Sequence, residues 1–414
     1  MFHVMKQNIS YKKRKLADLM RQGLNTTPVI VLSGARQVGK STLLLNEPPF
    51  NKWAYFSFDD PGVLDLARTN PEELLNSDKN LVVDEVQKAP EIFPYIKLLV
   101  DKDKTRHFVL SGSANLLLMK KVCESLAGRA IYFELLPFSL SEYKQKSSWL
   151  CDFITCDFSP PQDIGNQDKS EDLKFFLFRG LIPPVTSFTS CLEISLWWQG
   201  YIVTYLERDL RDLSQIANLS DFHRFMEVLA LRCANILKQN EAARDAGIST
   251  STASRYVNLL ETGNVFYRLR PFFKNIPKRL IKAPKGFFMD TGLICALAGF
   301  KDANSIPDRF YAQLFENFVF QNLYSLSSNL GGRLYYFRTL GGKEIEVDFL
   351  LEIEKRIIAI EVKYKSKIGL SDANSLLKLG KILDNDVIGK IIIYAGDKID
   401  KLPGNISLVP WWMI

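Results

Sequence analysis

The sequence predicts an α/β protein in three parts: a parallel sheet first, then a helical region, then a second and smaller α/β domain. Three observations carry this. Apolar runs rich in β-branched residues alternate with helical stretches ahead of residue 140, the pattern of a buried parallel sheet. One of these runs leads through a glycine-containing turn into a helix. A second helix-and-strand series begins near Tyr311, after a basic stretch that reads as two short helices and a hairpin. The expected parts are residues 1–190, 191–300 and 301–414.

Composition sets the outer limits. At roughly 150 residues per domain, 414 residues suggest two or three domains. Hydrophobic residues at 47% and charged residues at 24% exclude a disordered, collagen-like or coiled-coil chain. No stretch reaches the roughly 18 uncharged apolar residues of a membrane span. The most apolar candidate, Ser195–Leu206, is short and carries Gln199. The basic run after Tyr11 has no signal-peptide core behind it, so a cytoplasmic protein without a membrane partner is expected. Six cysteines show no C-x-x-C pair and are expected to be reduced and mostly buried. Three histidines, His3, His107 and His223, leave almost no room for a His-rich zinc site. The net charge of +7, from 53 basic and 46 acidic residues, is modest, so its distribution matters more than its total.

In chain order, residues 16–24 read as a helix and Thr27–Ser33 as a buried strand. Leu81–Val83 and His107–Leu110 are two more buried strands, each ending in polar residues as strands do at the ligand edge of an open sheet. Residues 151–172, with two prolines and several aspartates, read as a linker or long loop. Residues 191–236 read as helices, and Lys238–Glu261 as two short helices with Gly247 between them. Val265–Met289 alternates weakly and suggests a hairpin. From Tyr311 the order is helix, three strands, helix, strand, closing on LVPWW. There is no repeat at a fixed period.

Gly34, Ala35, Arg36, Gln37, Val38, Gly39, Lys40 and Ser41 fit G-x-x-x-x-G-K-[ST], with Thr42 next, between a strand and a helix. Such glycines let the backbone turn its N–H groups toward phosphate oxygens. Lys40 then reaches the β and γ phosphates of ATP, and Ser41 binds Mg²⁺. Leu81–Val83 delivers Asp84 to the Mg²⁺ shell, and Glu85 is placed to deprotonate the attacking water. The run from His107 ends in Ser111, Gly112 and Ser113, and either serine suits a polar sensor between the γ-phosphate and water. Arg129 closes the stretch SLAGR and suits an arginine that offsets transition-state charge. It would act in its own subunit or from a neighbour, the latter requiring a homo-oligomer.

Six stretches together resemble a known group: SGARQVGKSTLL from Ser33, FDDP from Phe58, VDEVQKAP from Val83, LSGSANLLL from Leu110, SLAGRA from Ser125 and LPFSLSEY from Leu136. They are similar to prokaryotic AAA+-type P-loop ATPases. Within these, they resemble the branch whose C-terminal half carries a winged helix and a restriction-endonuclease-like domain. The resemblance runs along nearly the whole chain and implies a P-loop NTPase sheet, ATP and Mg²⁺.

Ala243 and Gly247 have the four-residue spacing of a helix-turn-helix, with Ser249–Glu261 as its second helix. Ser249, Ser251, Thr252 and Arg255 are then candidates for phosphates or base edges. Residues 264–285 hold Arg268, Arg270, Lys274, Lys278, Arg279, Lys282 and Lys285 and no acid, with Phe266, Tyr267, Phe272 and Phe273 interleaved. Residues 249–285 are thus an expected DNA-binding surface. The alternative is a packing module whose charges are simply solvated.

Near the C-terminus, Asp348 ends one strand-like run, and Glu361 and Lys363 end another. Residues two apart on a strand share a face. Two carboxylates can hold a divalent metal, Lys363 can activate water, and Glu316 on the preceding helix adds a fourth group. The element order is that of a restriction-endonuclease-like core. The expected function is an ATPase that couples nucleotide state to DNA binding and, if this constellation is catalytic, to metal-dependent cleavage. The alternatives are a nucleotide-switched DNA-binding regulator and a protein-interaction scaffold with an inactive nuclease-like domain.

Overall fold

The computed structural model describes residues 11–112, 125–156, 172–209, 218–273, 283–339, 345–383 and 386–414. It divides into two compact units. The first runs to Phe138 and takes in Thr262–Asn264; the second comprises Ser139–Glu261 and Val265–Ile414.

The first unit is a three-layer α/β fold. Helix α1 (Leu16–Leu24) buries Leu16, Ala17, Met20 and Gly23, which share one helical face. Then come β1 (Val29–Ser33), α2 (Lys40–Asn46) and β2 (Ala54–Ser57). Helix α3 (Pro61–Thr69) is capped by Asp60, which accepts from the N–H groups of Gly62 and Val63, and α4 (Pro71–Asn76) by Asn70. Strand β3 (Asn80–Asp84), α5 (Phe93–Lys102), β4 (His107–Ser111) and β5 (Ala130–Glu134) complete it. The strand order is β2-β3-β4-β1-β5 with every neighbour parallel, so all strands end at one edge. Strand β1 lies between β4 and β5, and the chain leaves it at the crevice where such sheets bind ligands. Val31, Val83, Phe108 and Leu110 pack with Phe93, Ile96 and Val100 in a core closed to water.

The second unit begins with α6 (Leu140–Lys144), closed by a capping box between Ser139 and Glu142, and α7 (Trp149–Thr155). Helix α7 corrects the expected loop at residues 151–155. Ser148 caps it through the Cys151 N–H, and its buried Trp149 and Leu150 precede the polar stretch that suggested a linker. Next are α8 (Leu173–Arg179), α9 (Cys191–Tyr201), which continues as a π-helix over Ile202–Asp209, and α10 (Leu219–Leu231). Trp198 donates to the Arg179 carbonyl, and Asp290 accepts from the Leu181 N–H. These bonds tie residues that the sequence assigned to the first part into the second unit.

Helices α11 (Gln239–Asp245) and α12 (Thr250–Thr262) are joined by a turn at Gly247, whose φ of 66° is left-handed. An antiparallel ribbon of β6 (Phe266–Leu269) and β7 (Lys285–Phe288) follows, as the weak alternation suggested. After α13 (Thr291–Leu297), α14 (Asp308–Asn329) packs on β8 (Arg333–Arg338), β9 (Glu346–Ile353) and β10 (Arg356–Lys363). Helix α15 (Asn374–Leu383), β11 (Val387–Tyr394), β12 (Asp400–Leu402) and β13 (Ile406–Pro410) close the chain. The mixed sheet runs β12-β13-β11-β10-β9-β8, two strands more than the four the sequence suggested.

Among the described residues, no helix is long and apolar enough to cross a membrane. Cys151, Cys156, Cys191, Cys233 and Cys295 are free thiols. Only Cys233 and Cys295 of these are buried, fewer than expected.

Candidate functional site

The turn after β1 needs its glycines. A side chain at Gly34 would lie 2.4 Å from the Leu135 carbonyl oxygen, and Gly39 has a φ of 95°. Between them Ala35 and Val38 are buried, Arg36 and Gln37 are exposed, and Thr42 is exposed on α2. Lys40 is buried, and its Nζ donates to the carbonyls of Gly34 at 2.9 Å and Ala35 at 3.0 Å. Burial pushes this amine down to about 8, against the pull of Glu85 and Asp84.

Parallel pairing brings the ends of β2, β3 and β4 beside this turn. Ser41 Oγ donates to Asp84 Oδ2 at 2.6 Å, and the Tyr55 hydroxyl donates to the same oxygen at 2.6 Å. Burial, then the bond to Asp84, raises the Tyr55 hydroxyl's pKa. Asp84 Oδ1 accepts from the Glu85 N–H at 3.0 Å. Glu85 itself has a left-handed φ of 54°, which turns its side chain off the strand direction. Burial, then Asp84, raises its carboxyl, which accepts a bond from Gln87. Ser111 is fully buried, and its Oγ has no hydrogen-bond partner. It sits opposite Leu32 of β1, next to the strand that carries Asp84. Ser113 lies outside the described residues. A hydroxyl and a carboxylate converging at Ser41 and Asp84 suit Mg²⁺, which takes few protein ligands beside water and phosphate.

Arg129 is a correction. Its carbonyl accepts from the Val29 N–H, so it stands where β1 and β5 begin, at the opposite edge from Gly34. Its guanidinium forms two bonds of 2.7 Å to Asp101. It does not reach the phosphate edge of its own subunit.

Two residues escaped the sequence reading. Tyr55 gave no motif, because only pairing of β2 with β3 sets it beside Asp84. Arg14, in the basic run after Tyr11, is 5% exposed. It donates to the carbonyls of Val38 at 2.9 Å and of Leu136, and lies 4.6 Å from the Phe138 ring. It braces the phosphate turn from behind.

In the second unit, Asp348, Glu361, Lys363 and Glu316 do come together. Lys363 Nζ is 2.6 Å from Glu361 Oε2, and Asp348 Oδ2 accepts from the Val362 N–H at 2.8 Å. Burial, then Asp348, pushes both Glu316 and Glu361 up to about 8. Glu346 and Lys285 also belong to this group. Lys285 Nζ lies 2.7 Å from Glu346, 3.1 Å from Glu316 and 3.8 Å from Asp348. Burial would lower this amine; Glu316, Asp348 and Glu346 outweigh it and raise it. Among the described residues, no three carboxylate, His or Cys side chains are spaced to hold a metal. Lys285 and Lys363 instead place positive charge among Glu316, Asp348 and Glu361, where the divalent ion was expected.

The basic segment also changes. Lys285 is buried in that cluster, and Arg268 pairs with Glu261 and Asn258. Phe266 and Phe272 are core residues, and Tyr267 packs on Tyr324. Lys274, Lys278, Arg279 and Lys282 lie outside the described residues. The count of uncompensated charges missed acids that come from other parts of the chain. Ser249, Ser251, Arg255 and Asn258 are exposed at and along α12.

Residues 26–144 match an AAA domain. Residues 170–304 and 311–414 match two domains of unknown function, DUF8612 and DUF4143. An uncharacterised protein of Mycobacterium tuberculosis is 28% identical over 403 residues, covering 96% of this chain and 83% of its own length. An uncharacterised protein of Methanocaldococcus jannaschii is 23% identical, covering 92% and 87%. Among solved structures, a Walker-type ATPase of Pyrococcus abyssi is similar at a TM-score of 0.43 and 15% identity, over 70% of this chain and 97% of that one. The parallel sheet, the phosphate turn and the AAA match make this a P-loop ATPase-type protein.

Proposed function

We propose that the first unit binds ATP with Mg²⁺ and hydrolyses it. The observation that carries this is the bond from Ser41 to Asp84, which joins two motifs 43 residues apart in one site. Lys40 exchanges its two carbonyl partners for β- and γ-phosphate oxygens, and the backbone from Gly34 to Ser41 encloses the phosphates. Ser41 and Asp84 hold Mg²⁺, which neutralises phosphate charge when bound. Tyr55 fixes the Asp84 carboxylate in place. Glu85 takes the proton of the attacking water, its raised carboxyl bringing its basicity nearer neutrality. The Ser111 hydroxyl, without a partner inside the sheet, is free to bond the γ-phosphate or that water. ATP turnover measured with and without duplex DNA tests the reading. Unchanged turnover in Lys40→Ala would overturn it.

The second unit carries a DNA-binding reading, favoured by the exposed face of α12. Ser251, Arg255 and Asn258 lie at helical spacing on that face, with no carboxylate among them. Duplex affinity should fall steeply with salt, and Arg255→Glu should weaken it and flatten the salt slope. A scaffold predicts neither. Cleavage requires a divalent metal at Asp348 and Glu361, and the lysines beside them oppose one.

A further inference from the structure

We infer that Lys285 is the resident cation of the carboxylate group formed by Glu316, Glu346, Asp348 and Glu361, standing in for a divalent metal and making this unit a metal-independent module. Its Nζ touches Glu346 at 2.7 Å and Glu316 at 3.1 Å, with Asp348 at 3.8 Å and the Tyr336 ring centroid at 5.7 Å. Its side chain is 4% exposed. A metal sharing these oxygens at about 2.0–2.6 Å would sit against an ammonium with no water between them.

The lysine cannot easily swing aside. Its strand β7 pairs with β6 at Leu269, and Lys285 also bridges to Ile236. The neighbouring backbone bonds from Leu237 N–H to the Pro284 carbonyl and from Gly286 N–H to the Asn235 carbonyl hold the strand on its other side. The backbone of Lys285 is thus fixed, and burial with two close carboxylates holds its amine in the cluster. A metal-binding carboxylate group in which water is the resident would need no such fixture.

Lys363 adds a second, more exposed cation. Lys363 Nζ is 2.6 Å from Glu361 Oε2, and Arg338 lies 3.9 Å from Glu346. Four carboxylates thus face three cationic side chains. One Asp348 oxygen is taken by the Val362 N–H. Glu361 Oε1 has no hydrogen-bond partner. The charge group instead fastens the β6–β7 ribbon to the mixed sheet, because Lys285 belongs to one and Glu346 and Asp348 to the other.

Mn²⁺ binding to the full-length, nucleotide-free protein tests this, read by electron paramagnetic resonance in a Ser41→Ala background that removes the phosphate-site ligand. The parent is expected to show no site that Asp348→Asn abolishes. Lys285→Met keeps the chain length and removes the charge. It should gain one Mn²⁺ site at least about tenfold tighter than any residual binding of the parent. Adding Asp348→Asn should abolish that gain. A stoichiometric Mn²⁺ site in the parent that Asp348→Asn removes would overturn the inference, and so would a folded Lys285→Met that gains none. If Lys285→Met does not fold, the comparison of the parent with Asp348→Asn decides alone.

Discussion

Two buried lysines face acidic residues in this protein, and they do opposite things. Lys40 has carboxylates nearby but bonds only to backbone carbonyls, and burial brings its amine down to about 8. Lys285 is held by Glu346 and Glu316, and its amine is raised. The first is a cation kept short of counter-charge, which an anion such as a triphosphate can supply. The second is already neutralised and has nothing left to offer a ligand. A buried lysine therefore marks a binding site only when its neighbours leave the charge uncompensated.

The same substitution at both positions separates them. Lys40→Met should lower ATP turnover by about a thousandfold, through loss of phosphate stabilisation, in a coupled ATPase assay. Its melting temperature should hold or rise, since no ion pair is broken. Lys285→Met should instead cost about 3–5 kcal/mol in denaturant unfolding, because it strands buried carboxylates. Equal loss of stability in the two variants would erase the contrast.

Within the first site, Glu85→Gln should bind ATP normally yet hydrolyse it about a hundredfold more slowly, as single-turnover kinetics would show. The smallest effect is on pH. ATP prefers the protonated Lys40, and its phosphates raise the bound amine. As pH rises through about 8 the unliganded amine loses its proton, so each binding event must recover one. Affinity should then fall about fivefold between pH 8 and 9 in calorimetric titrations. In Lys40→Met this slope should vanish.

The phosphate site was largely legible in the sequence. Strand, glycine turn, Lys40 and Ser41 are consecutive, so spacing alone fixes their geometry. Asp84 was legible too, because a parallel sheet brings strand ends to one edge. Tyr55 and Arg14 were not, since each acts through a neighbour that only pairing or packing supplies. The shared face of Glu361 and Lys363 followed from strand periodicity and their meeting with Asp348 from the element order, but the chemistry of that meeting did not. Glu346 and Lys285 decide it, and they arrive from different elements.

By itself the sequence determined what is local: the phosphate turn, the buried strands, the helix pair around Gly247 and the ribbon after it. These follow from backbone conformations and periodicities that neighbouring residues impose. Tertiary structure alone decided the sign and reach of charge. Arg129 suited an arginine at a phosphate site, yet it precedes its strand, and a parallel sheet sends strand beginnings to the far edge. Lys285 lies in a stretch without acids, yet folding delivers three carboxylates to it. Coulomb interactions depend on distance through space, and chain separation carries almost no information about that distance once the chain is folded.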